Sequence, residues 1–317
     1  MATFHGLLVN VILFFLLMIP GYIMGKCKHI EEGAMLTLSN LLSDVAMPAL
    51  VFSKLLEVNL LSVSFPTLVC CILMPFITVL LLYAIVTWVF RKPQCDAASR
   101  FCALFSNCGF LGIPLACAIF PDQPEVAVYV SVFNVFSTFL LLTLGTGILS
   151  QDKRAVRPLG ILCSPITVAL VLGCIGSYFR VGEYVTQIAT YANTLAQLTT
   201  PLSMVVLGYH FSKLPFQKIL CNSRVYSVAF FKLLVMPLLA MGVLVLVDLI
   251  PDVNVSGELA VAMLLATGVS TAASAPAMAR KYGQDDGYAA ALTLGNTMLC
   301  LITLPLIYLL FEAVFHL

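Results

Sequence analysis

Apolar residues fall into ten runs separated by short polar stretches, at about 6–25, 34–55, 66–90, 97–120, 125–149, 159–180, 185–211, 225–249, 259–282 and 287–311. A helix of about 20 apolar residues matches the ~30 Å thickness of a bilayer's hydrocarbon core. The pattern predicts an all-α membrane protein of ten transmembrane helices. Two runs depart from the rest. SNCGFLGIPLACAIF, Ser106 to Phe120, and STAASAPAMARKY, Ser270 to Tyr282, carry glycines or small polar residues and then a proline at mid-depth. A continuous helix loses a backbone hydrogen bond at such a proline. Spans four and nine are therefore expected to be broken, which a bilayer tolerates only where the freed groups line a cavity or are buried in protein.

The two breaks are related by a fixed offset. Pro114 to Pro276 is 162 residues and Asn134 to Asn296 is again 162, so no gap is needed between them. A weaker echo sets Pro48 of span two opposite Pro201 of span seven. Five is an odd number of spans, so a duplicated five-span unit enters the membrane upside down the second time. The expected organisation is a first repeat over 1–150, a basic linker over 151–157 and a second, inverted repeat over 158–317. The broken spans four and nine would then cross near the bilayer midplane.

Charge fixes the orientation. Of 317 residues 61% are hydrophobic and 10% charged, far below the roughly one quarter charged of soluble domains, and a net charge of +1 argues against a nucleic-acid partner. Thirteen of the sixteen Lys and Arg residues lie in the odd-numbered connections: Lys26, Lys28, Arg91, Lys92, Arg100, Lys153, Arg154, Arg157, Lys213, Lys218, Arg224, Arg280 and Lys281. The even connections are acidic, with Glu57, Asp122, Glu125, Glu183, Asp248, Asp252 and Glu258. By the positive-inside rule the odd connections are cytoplasmic and both termini lie outside an integral plasma (inner) membrane protein. The loops at the shared offset, PDQPE and GQDDG, then fall on opposite sides, as inversion requires. The first run has neither a basic n-region nor a small-x-small cleavage site before Lys26, and is expected to be a retained span. The eleven cysteines scatter singly apart from Cys70 and Cys71, without CxxC or Cys/His spacing, and read as small hydrophobes rather than metal ligands.

The candidate chemistry gathers at the breaks. A helix broken in mid-membrane offers N–H groups and partial positive charge on one side and carbonyls on the other, so two antiparallel copies can hold an anion without Arg or Lys. Ser106, Asn107, Ser270, Thr271 and Ser274 can complete hydrogen bonds there, and Gly109 and Gly112 allow close approach beside Pro114 and Pro276. The competing reading is that these prolines and glycines are only structural kinks. Asn134 and Asn296 each follow a broken span, where an amide needs a polar partner: either a helix-to-helix hydrogen bond or a substrate. Asp44 is the acidic residue placed well inside a span, and is a candidate proton carrier or cation ligand, or else a shallow residue reached by water. Lys232, about eight residues into span eight, either snorkels or supplies a counter-charge. His5, His29, His210 and His316 lie near span ends without metal-ligand spacing, and Trp88 reads as an interfacial anchor. No GxSxG, HExxH or GxxxxGK[ST] occurs, so neither an enzyme nor an ATP-driven pump has local support.

SNCGFLGIPLACAIF resembles the fourth span of the auxin efflux carrier family, which includes plant PIN and PIN-like carriers and bacterial malate and malonate permeases. GVSTAASAPAMARKYGQDDGYAAALTLGNTMLCLITLPLIYLL is similar to that family's ninth and tenth spans. The resemblance implies a secondary carrier of small organic anions, with spans one, two, six and seven as a scaffold, usually dimeric, and spans three to five and eight to ten as a transport domain moving as an elevator. It carries substrate-side roles onto Asn107, Pro114, Asn134 and Pro276, and Asn296 joins them through the internal repeat. Unlike plant PIN carriers, the chain has no long loop after span five, and it lacks an acid and lysine pair in span three. The expected partners are a carboxylate such as malate, malonate or an auxin-like acid, the lipid bilayer and a second copy of the chain. No cofactor is expected, H+ and Na+ both being open as coupling ions. A sodium-coupled carrier of the bile-acid symporter type, a transporter-like ligand sensor and an intramembrane enzyme are the alternatives.

Overall fold

A computed structural model describes residues 2–27, 32–59, 63, 65–89, 97–150, 164–213, 223–250 and 255–315, with side chains from residue 8 onward except that of Glu32. Outside these ranges lie Lys28, Arg91, Lys92, Lys153, Arg154, Arg157, Lys218 and Asp252 of the loop-charge pattern, His29 and His316, and the linker 151–157.

The described chain is helical. In order it forms α1 (Ala2–Lys26), α2 (Glu32–Leu41), α3 (Met47–Glu57), α4 (Phe65–Val89), α5 (Ala97–Leu104), α6 (Ile113–Ile119), α7 (Pro124–Leu140), α8 (Thr146–Ser150) and α9 (Pro165–Tyr178). Then come α10 (Val181–Tyr184), α11 (Thr186–Ala196), α12 (Thr199–Ser212), α13 (Ser223–Ala229), α14 (Met236–Asp248), α15 (Gly257–Gly268), α16 (Ala275–Lys281) and α17 (Asp286–Phe315). Wider π turns join α2 to α3 (Leu42–Ala46), lead into α6 (Cys108–Gly112), join α7 to α8 (Leu141–Gly145) and join α13 to α14 (Phe230–Val235). Among the described residues six segments are long and apolar enough to cross a bilayer: 8–26, 33–57, 65–89, 124–150, 223–248 and 286–315. They coincide with runs one, two, three, five, eight and ten. Runs four, six, seven and nine are helical too, but shorter or divided.

Proline explains much of this division. Pro48, Pro114, Pro237 and Pro276 each stand at the first or second position of a helix, directly after a π turn or a break. A proline there has no N–H to waste and a φ already suited to helix, whereas the residues before it must find another register for their carbonyls. Proline alone does not break a helix, since Pro20, Pro75 and Pro305 lie inside α1, α4 and α17.

Two of the packing arrangements position the site. In the first, α1 lies along α12, and α3 lies along α9 and α11. Gly21 and Gly25 of α1 face Val205 and Ser212, while Gly208 of α12 faces Met18 so closely that an added Cβ would strike backbone. Small residues spaced four apart let membrane helices approach to this distance. In the second, α4 packs on α7 and α14, α7 and α14 pack on α15, and α13, α15 and α16 pack on α17. α15 sits at the centre, with every residue from Leu259 to Gly268 buried, as expected of a helix apolar on all sides. Outward faces such as Leu13, Leu16 and Ile19 of α1 or Val171, Leu172 and Ile175 of α9 stay exposed.

Candidate substrate site at the paired helix breaks

After Leu104 the chain leaves the helix, and after Gly268 it does so again. The two open segments lie antiparallel and hydrogen-bond to each other: Asn107 N donates to Ser270 O at 2.8 Å and Ala272 N donates to Phe105 O at 2.9 Å. They form an isolated β-bridge between Ser106 and Thr271. The exchange supplies backbone groups that left their own helices with partners, which burial makes obligatory.

Two details differ from the sequence reading. The prolines do not occupy the gaps but open the half-helices that follow, Pro114 in α6 and Pro276 in α16. The bridge also runs at an offset of 271 − 106 = 165, three more than the 162 between the prolines. From bridge to proline is 114 − 106 = 8 residues in the first copy and 276 − 271 = 5 in the second, and the π turn Cys108–Gly112 lies within the longer one. The ungapped relation thus holds from the prolines to the asparagines and stops short of the bridge.

Side chains cap the two half-helices where they stop. At the end of α5, Thr271 Oγ1 donates to Cys102 O at 2.7 Å, and Asn296 Nδ2 donates to Thr271 Oγ1 at 2.6 Å. Because the hydroxyl proton is committed to Cys102, only a donor fits on its other side, which fixes the orientation of the Asn296 amide. At the end of α15, Lys232 Nζ donates to Thr267 O at 2.6 Å and Cys300 Sγ lies 3.6 Å from Gly268 O. Lys232 is 0% exposed. It does not snorkel: its stem runs inward from the π turn Phe230–Val235, and Nζ also lies 3.4 Å from Met236 Sδ. Ser106 Oγ approaches the same sulfur at 3.8 Å.

Beside the first break, Cys108 Sγ donates to Asn134 Oδ1 at 3.0 Å. Gly109 lets this amide come close, since a Cβ there would lie 3.3 Å from Asn134 Oδ1 and 2.9 Å from the flexible end of Met47. A Cβ on Gly112 would lie 3.1 Å from Leu265 O, so this glycine admits the backbone of α15. The π turn opens with Leu111 N and Gly112 N both donating to Asn107 O, which leaves the N–H groups of Cys108, Gly109 and Phe110 outside the helical ladder.

Three polar atoms at the crossing are buried without a hydrogen-bond partner: Asn107 Nδ2, Ser270 Oγ and Asn296 Oδ1. They belong to residues 3%, 0% and 0% exposed. A donor, a hydroxyl and an acceptor each buried without a partner cost free energy until something polar meets them. Of the residues singled out in the sequence, Ser106, Asn107, Ser270, Thr271 and Asn296 are joined directly here, with Asn134 and Gly112 packed against the same turn. Ser274 is exposed and Pro276 half-buried. Asp44 is not drawn in: it is exposed on the π turn Leu42–Ala46 rather than buried. Lys54, near the end of α3, pairs with Glu57 at 2.7 Å. Sequence reasoning passed over Cys108, Met236, Thr267 and Cys300. Helical spacing could have found two of them, because Cys300 lies four residues after Asn296 and Met236 four after Lys232.

Among the described residues the chain is helical, with six segments of membrane length and two helices interrupted face to face, the build of an integral, multi-pass membrane protein. Residues 7–158 and 154–308 match the family described as membrane transport protein, and the chain belongs to this family of auxin efflux and PIN-like carriers, a family of transporters and not of enzymes. The two matched segments meet at the basic stretch around residue 155. No curated protein matches the chain.

Proposed function

We propose that the protein is a secondary active transporter of small organic anions, carboxylates of the malate, malonate or auxin-like kind, and that its substrate binds at the crossing. The observation that carries this reading is the trio of buried, unpartnered atoms, Asn107 Nδ2, Ser270 Oγ and Asn296 Oδ1. The amide donor and the hydroxyl suit the oxygens of a carboxylate. The amide oxygen suits a hydroxyl or a protonated acid. The N–H groups at the start of Cys108–Ile119 add a partial positive charge.

The movement is an elevator. Ten spans in a 5+5 inverted repeat place the crossing near the bilayer midplane, with both termini outside a plasma membrane. Spans one, two, six and seven form a scaffold that pairs with a second copy of the chain, and spans three to five and eight to ten carry the site. This division is supported by the packing, in which α1 lies mainly along α12 and α3 mainly along α9 and α11, with smaller contacts from α1 to α6 and α17 and from α3 to α7, while α4, α7, α13, α14, α16 and α17 surround α15 directly or through one another. Transport is driven by an ion gradient, with Asp44 and Lys232 as candidate coupling residues.

Purified protein in liposomes is expected to accumulate or exchange one of a panel of mono- and dicarboxylates. Asn134→Ala and Asn296→Ala should each lower uptake about 10- to 100-fold, the loss expected for a hydrogen bond to a charged group, with folded protein retained. Unchanged uptake in both variants would remove the site assignment.

A further inference from the structure

The crossing already contains a buried lysine amine. Lys232 Nζ is fully buried and reaches Thr267 O at 2.6 Å, on the second-last residue of α15, where a half-helix ends in carbonyls. That end carries the negative pole of the helix and is the place where interrupted helices of transporters coordinate their coupling cation. Among the described residues no carboxylate pairs with Lys232; the ion pairs found are Lys54–Glu57, Arg180–Glu183 and Arg280–Asp286. Its partners are acceptors only, a carbonyl oxygen and the Met236 sulfur. Cys300 takes the next carbonyl, that of Gly268, so the end of α15 is closed by the chain's own side chains. Beyond it lie Ser270 Oγ and Asn296 Oδ1, both buried and unpartnered. At the opposite half-helix, α5, the cap on Cys102 O is the Thr271 hydroxyl. At the repeat offset from Lys232 stands Cys70 (232 − 162 = 70), so the charge is a feature of one repeat only.

We propose that the Lys232 ammonium is a built-in substitute for a coupling cation: it fills the cation position at the end of α15, so the crossing neither needs nor admits Na+. This rests on the reading of the crossing as the binding site, but not on which acid is carried.

The test is the thermal midpoint of the purified protein in detergent, in NaCl, KCl and N-methyl-D-glucamine chloride. The native protein should show the same midpoint in all three. Lys232→Met, which keeps the length of the side chain and loses its charge, should fall by roughly 3–8 °C in N-methyl-D-glucamine and regain at least half of the loss in Na+. Lys232→Arg, which keeps the charge should the methionine variant not fold, should remain indifferent to Na+. Stabilisation of the native protein by Na+, a methionine variant blind to Na+, or an arginine variant that becomes Na+-dependent would each overturn the proposal. No substrate enters the measurement, so a failed carboxylate assay leaves this result standing, and the converse holds too.

Discussion

Thr271 holds the crossing together through one oxygen. Its hydroxyl gives a proton to Cys102 O and receives one from Asn296 Nδ2, so it ties the end of α5 to the span that follows the second break. Thr271→Val keeps the shape and removes both bonds, taking a hydroxyl donor from a buried carbonyl and an acceptor from a buried amide N–H. The expected cost is about 2–6 kcal/mol, read as a lower thermal midpoint. At this scale the sequence revealed which residue types sit at the breaks but not which atoms they meet. Asn107, Asn134, Thr271 and Asn296 stood out because polar side chains are conspicuous in apolar runs. Cys108 and Cys300 did not, since a cysteine in an apolar run looks like a small hydrophobe until a carbonyl or amide lies against it. Asp44 and Lys232 were equally visible as charges, yet the fold turns one outward and buries the other. Burial depends on neighbours contributed by distant segments.

Helix breaks were legible as elements; their register was not. Prolines in apolar runs pointed to spans four and nine, and those spans are divided. Why the division falls seven to nine residues before Pro114 is a matter of pairing: Phe105 and Asn107 exchange backbone bonds with Ala272 and Ser270, and a π turn takes up the difference in length. Nothing local in Ser106–Phe120 encodes a partner 165 residues away. The close pairing of α1 with α12 was within reach, because Gly21-x-x-x-Gly25 and Gly208-x-x-x-Ser212 are small-residue pairs at helical spacing. It permits a sharp prediction. Gly208→Val would drive a branched side chain into the backbone at Met18. Since two backbones cannot both yield, the variant should lose the α1–α12 contact and run as aggregated or unfolded protein on size exclusion, whereas Gly242→Ala, where a Cβ meets nothing within 4 Å, should run as the native protein.

Across the whole molecule, the account needs a crossing built for a solute as well as for the fold. The two roles pull stability in opposite directions. Groups that only hold the fold together should all be satisfied, while groups reserved for a ligand are left wanting in its absence, a stability cost typical of functional sites. Asn107 makes the distinction measurable, because its Nδ2 is buried with no partner while its backbone N–H already secures the bridge. The decisive measurement is therefore Asn107→Ala, followed by thermal midpoint and by carboxylate uptake into liposomes. Removing an unsatisfied donor should leave the midpoint unchanged or raise it, and uptake should fall about tenfold or more. A variant that takes up the acid at the native rate, or that loses its fold along with its uptake, would contradict a substrate site at the paired breaks.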